Sequence, residues 1–149
     1  MHTANSWKSY RQIATQTAPP GQLVLMLFDG ALNSLERGLI GFSYADPSEK
    51  NETIHNNFQR AVDIVRLLND SLNTESGGKL AEALRNLYGY YEQRIIESNF
   101  KKRRDGVDEV IQHMTGLRDA WNTMLLNQGQ ESMLQVESEG LQHSDARAA

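Results

Sequence analysis

Between Leu23 and Met124 the apolar residues return every three or four positions, in four runs separated by short polar breaks. The second run is Ile54, Phe58, Ala61, Val65, Leu68 and Leu72. The third is Leu80, Leu84, Leu87 and Tyr91, widened by Tyr88 and Ile95, and the fourth is Val107, Val110, Met114, Leu117, Trp121 and Met124. Alternating four-three spacing gathers apolar side chains on one stripe of a helix, and no comparable period-two run competes with it. The first run has Leu23, Leu27, Ala31, Leu35 and Leu39, but also Leu25, Met26, Phe28 and Leu32. Its face is wider than a seam, which predicts either the most central helix or one that touches something extra.

The breaks carry helix-stopping residues: Tyr44 to Ser48 around Pro47, Asn73 to Gly78, and Asn99 to Gly106. Short connections make antiparallel neighbours, so the runs predict an all-α, up-down-up-down four-helix bundle over residues 17–126. Lys101 to Arg104 follow the third helix, where cations favour the negative end of its dipole; a docking patch is the alternative reading. Residues 127–149 are rich in Gln, Ser, Glu and Ala without a sustained stripe, which predicts a disordered tail. Residues 1–16 form a polar arm in which Trp7, Tyr10 and Ile13 recur every three positions. The arm is too short to hold a helix alone, so it must lie on the bundle or wait for a partner. Pro20 suits the first position of a helix, whereas Pro19 takes the cap position without a hydroxyl, leaving Gln22 as half of a capping box and Thr17 as a cap from further back.

A chain of 149 residues makes one domain, and 39% hydrophobic content is low enough that part of it is not core. There is no cysteine, no signal-like segment and no apolar stretch of transmembrane length, so the expected location is the cytoplasm, with no membrane insertion. Of the net charge of -4, residues 127–149 contribute -3 through Glu131, Glu137, Glu139 and Asp145 against Arg147. A nearly neutral body argues against nucleic acid as a partner and for recognition through apolar surface.

Chemistry finds little support. A di-metal carboxylate bundle requires two Glu-x-x-His motifs and a further Glu from each remaining helix, whereas only Glu52 and His55 form such a motif. Glu109 and His113 are four apart without a nameable third ligand, and the Gly77-Gly78 pair lacks the longer pattern of a phosphate loop. No nucleophile is placed with a base. The sequence therefore predicts a binding protein with no cofactor, against a metal-using bundle enzyme as the competing class. Gly30, in mid-helix after Asp29, predicts close approach of another helix or a direct partner contact.

The stretch "SYRQIATQTAPPGQLVLMLFDGAL" resembles the start of the flagellin export chaperones, the FliS family. Tyr10, Thr17, Ala18, Pro20, Leu23, Met26, Leu27, Asp29, Gly30 and Ala31 match its pattern, which continues in "GGKLAEALRNLYGYYEQRIIESN" and ends in "LRDAW". The resemblance covers about residues 10–122. Phe28 stands where the family often has tyrosine, and Pro19 where it usually has serine. The resemblance implies a cytoplasmic chaperone that binds the C-terminal segment of flagellin, prevents premature polymerisation and delivers it to the flagellar type III export apparatus. The candidate flagellin contacts are Tyr10, Ile13, Leu23, Met26, Leu27, Phe28 and Gly30, with the arm that carries Tyr10 and Ile13 acting either as a contact or as a lid over the client groove. A regulatory adaptor of the same fold, binding another flagellar regulator such as an anti-sigma factor, is the alternative.

Overall fold

Asp46 accepts the backbone N–H of Glu49 at 2.9 Å and Pro47 follows it as the first helical residue, so one break becomes a capped helix start. This comes from a computed structural model that describes residues 20–72 and 77–148. Among them the chain forms α1 (Pro20–Ile40), a 3-10 turn (Gly41–Ser43), α2 (Pro47–Asp70), α3 (Gly78–Lys101) and α4 (Asp105–Ala148). The arm of residues 1–16, with Tyr10 and Ile13, lies outside the described residues, as do the cap assignments to Thr17 and Pro19. Pro20 does open α1.

Each helix packs on its neighbours in sequence, and α1 also packs on α4, closing a ring. The result is the all-α antiparallel four-helix bundle. Phe28, Ala31 and Leu35 of α1 meet Ile54, Phe58, Ala61, Val65 and Leu68 of α2 inside it. Tyr88, Tyr91 and Ile95 of α3 and Val107, Val110 and Met114 of α4 complete the interior. The wide face of α1 is accounted for by its two neighbours, since it packs on both α2 and α4. Gly38 brings α1 and α2 together: a Cβ there would run into the Phe58 ring.

The third stripe sits differently from its sequence reading. Its buried line is Ala81, Tyr88, Tyr91, Ile95 and Ser98, while Leu84 and Leu87 are half-buried and Leu80 is 71% exposed. Leu80 and Leu87 share a helical line with Arg94, which bonds to Glu109 of α4, so the leucines form the edge facing α4 rather than the centre.

The break between α3 and α4 is also tighter than Asn99 to Gly106, being Lys102 to Arg104. Lys102 takes the left-handed conformation (φ 52°) and Arg103 N–H returns to the Ser98 carbonyl at 3.1 Å. The Ser98 hydroxyl accepts the N–H of Val107 at 3.1 Å, so a residue of α3 caps the first turn of α4. Gly106 makes this fit possible, because a Cβ there would lie 2.8 Å from the Arg94 carbonyl oxygen. The basic run is engaged locally: Lys101 pairs with Glu97, Arg103 with Asp105 and Arg104 with Asp108.

The tail is corrected as well. Residues 127–148 continue α4 as helix instead of forming a disordered segment. Extending an existing helix needs no new nucleus, and no proline intervenes. Met133, Leu134 and Val136 remain about two-thirds exposed, consistent with a segment that has no apolar stripe to bury.

Candidate functional site

The stretches that carry the resemblance lie far apart in sequence and meet in the bundle. Arg118 of "LRDAW" reaches Asp29 of "MLFDGA" with two guanidinium nitrogens, Nε to Oδ1 at 2.8 Å and Nη2 to Oδ2 at 3.4 Å. One turn along, Trp121 Nε1–H donates to the carbonyl oxygen of Gly21. Phe28 packs on Tyr88 of "GGKLAEALRNLYGYYEQRIIESN", with ring centroids 6.3 Å apart, and Tyr88 packs on Tyr91. Burial pushes both phenols up to about 12, with the neighbouring Tyr91 adding to the shift at Tyr88. Asp29, Arg118, Trp121 and the two tyrosines thus bind α1, α3 and α4 into one unit. The bonds of Asp29 to Arg118 and of Trp121 to Gly21, and the packing of Phe28 on Tyr88, could not be read from spacing, because the partners lie on different helices.

Beyond the clamp, the packing loosens towards the end of the bundle where α1 begins. Along α4, Val107, Val110 and Met114 are enclosed, Leu117 and Trp121 are half-buried, and Met124 is 39% exposed. The antiparallel partner α3 loosens in the same direction, from Ile95 and Tyr91 through Leu87 and Leu84 to Leu80. Leu23, Met26 and Leu27, in the first turns of α1, are half-buried at that end. The bundle therefore presents apolar side chains from α1, α3 and α4 around one end.

A model of the family described as "Flagellar protein FliS" matches residues 3–128 of this chain. The chain belongs to the FliS family. It is similar to the flagellar secretion chaperone FliS of Salmonella typhimurium, 32% identical over 126 residues covering 81% of this chain and 90% of the relative. The Bacillus subtilis chaperone is 31% identical over 121 residues (81% and 86%). The Escherichia coli chaperone is 32% identical over 132 residues (85% and 94%). The family match ends at residue 128, close to Leu125, the last half-buried residue of α4 among the described ones.

Of the residues singled out within this FliS-family sequence, Leu23, Met26 and Leu27 share the loosely packed end, while Phe28 is 1% exposed and serves the interior. Gly30 faces α2, where a Cβ would stand 3.4 Å from Ile64 Cδ1, an ordinary packing distance. Tyr10 and Ile13 lie outside the described residues.

Two of the residues weighed for metal binding, Glu109 and His55, are otherwise engaged. Glu109 accepts the Tyr90 hydroxyl and pairs with Arg94 at 2.9 Å, and these bonds hold its carboxyl below the usual range. His55 Nδ1 accepts from Asn99 Nδ2 at 3.1 Å in the tautomer that leaves Nδ1 unprotonated. Among the described residues no three His, Asp or Glu side chains come together as a metal site, and no helix is long and apolar enough to cross a membrane.

Proposed function

We propose that this chain is a cytoplasmic export chaperone, without enzymatic activity, that binds the C-terminal segment of flagellin. It keeps the subunit from polymerising and delivers it to the flagellar export apparatus. The observation that carries this reading is the loosened end of the bundle, where Leu80 stands 71% exposed at the edge of α3. An amphipathic segment laid against Leu80, Leu84 and Met124 would bury apolar surface on both partners, with an ordering cost of a few kcal/mol for a client that is unstructured when free. Leu23, Met26 and Leu27 are proposed as contacts on α1, Phe28 and Gly30 as their support from beneath, and Tyr10 and Ile13 as contacts from the arm. Membership of a family whose relatives are flagellar secretion chaperones supports the client class.

The test is co-purification with a flagellin, repeated after removal of flagellin's C-terminal segment. Capture that disappears with the segment supports the proposal, and capture that persists refutes the assigned client region. Leu80→Gln and Met124→Gln alter exposed positions and should preserve the fold. Each is expected to weaken flagellin binding roughly tenfold if its contact is central. Unchanged affinity in both variants would move the client to another face.

A further inference from the structure

At the opposite end of the bundle, α1 and α2 are pressed together where Gly38 meets the Phe58 ring. Outside that contact lies a shallow cleft of about 360 Å³, lined by Arg37 of α1 and by Glu52, Thr53, Asn56, Asn57 and Arg60 of α2. Arg66, Arg94, Arg103, Arg104 and Arg118 each have a carboxylate within 4.0 Å. Arg37 and Arg60 have none among the described residues, although Glu52 belongs to the same lining. Two guanidinium groups against the single carboxylate of Glu52 leave the lining of this concavity with a positive balance, on a chain whose net charge is -4.

We propose that this cleft docks an acidic segment of a partner protein, with Arg37 and Arg60 receiving its carboxylates. The planar guanidinium fork matches a carboxylate with two parallel hydrogen bonds. The neutral lining suits the adjoining peptide. Asn57 Nδ2 is committed to the Thr53 carbonyl at 2.8 Å, which leaves its Oδ1 to accept a peptide N–H, and exposed Asn56 can both donate and accept. Glu52 disfavours a compact dianion such as phosphate more than a singly charged side chain. Because the cleft lies at the other end from Leu80 and Met124, its occupation is compatible with a helix bound there. The inference stands independently of the flagellin assignment.

The test is a nuclear magnetic resonance titration of the full-length, nitrogen-15-labelled protein with a blocked peptide of glutamate pairs spaced by alanine. A peptide with glutamine in place of glutamate and inorganic phosphate form separate arms. The acidic peptide should shift the resonances of Arg37, Asn56, Asn57 and Arg60, and the glutamine peptide should not. Arg37→Gln and Arg60→Gln should each weaken binding roughly tenfold. Arg60→Lys should lose less, and Arg85→Gln, outside the cleft, nothing. The same spectra report whether each variant keeps its fold. Shifts centred elsewhere, affinity insensitive to both glutamine variants, or an equal response to phosphate (an adventitious ion only) would each overturn the proposal.

Discussion

Trp121 Nε1–H donates to the carbonyl oxygen of Gly21 at 3.0 Å, tying the first turn of α1 to α4 across 100 positions of sequence. That carbonyl lies beside a tryptophan ring that also packs against the core, so one side chain both fills the seam and satisfies a backbone group. Trp121→Phe keeps an aromatic ring and removes the donor. Its expected cost is about 1 to 2 kcal/mol, from the lost bond and the smaller ring. The urea midpoint should fall at unchanged slope. An unchanged midpoint would mean that the bond adds nothing to closure of the ring.

Ser98 and Gly106 make a second, stiffer joint. Ser98→Ala leaves the Val107 N–H without its partner in a buried turn, at an expected cost of about 1 to 3 kcal/mol. Gly106→Ala drives a methyl against the Arg94 carbonyl oxygen and should cost about 2 kcal/mol or more. The double variant distinguishes the two causes. Removing the Ser98 hydroxyl relieves one crowded contact but leaves the backbone oxygen, so Gly106→Ala remains destabilising on a Ser98→Ala background.

The bundle was legible because Ile54, Phe58, Ala61, Val65 and Leu68 follow helical spacing so closely that the stripe and the buried face coincide. The third helix was less so. Leucine and tyrosine score alike in a periodic count, and which line faces inward is settled by packing against the other helices, where Tyr88 meets Phe28. The helical state of residues 127–148 was missed because the stripe test detects packing, whereas here the helix continues without a neighbour. The candidate contacts on α1 were nameable from the motif, but the role of Phe28 depends on Tyr88, which only the fold brings beside it.

Alkaline pH probes that aromatic contact. Tyr88 and Tyr91 have folded-state values pushed up to about 12, above the unfolded phenol value of about 10. Their contribution to stability is therefore complete below pH of about 10 and is lost as pH rises through about 12. Tyrosinate absorbance for these two rings should grow together with loss of the far-ultraviolet helix signal. Full ionisation of every tyrosine near the free-phenol value, with the helices intact, would contradict their enclosure.

A chain shortened to end at Asn127 should melt within a degree or two of the full chain, because Met133, Leu134 and Val136 are exposed. It should nevertheless lose helix signal in proportion to the missing part of α4. A large fall in melting temperature would show that the overhang packs on the bundle. An unchanged total helix signal would show that the overhang is not helical in solution.

The decline in burial from Val107 to Met124, matched on α3 from Ile95 to Leu80, makes resistance to local opening graded along the molecule. Amides near the Ser98–Gly106 joint should exchange with solvent only when the whole bundle unfolds. Those near Trp121 and Leu84 can exchange through a smaller opening that leaves the joint shut. The burial gradient makes the α3–α4 turn the stiff end of the bundle and the end near Leu84 and Met124 the compliant tips. An occupant between the tips would slow exchange there and leave the stiff end unchanged, a one-sided stiffening that a single melting temperature averages away.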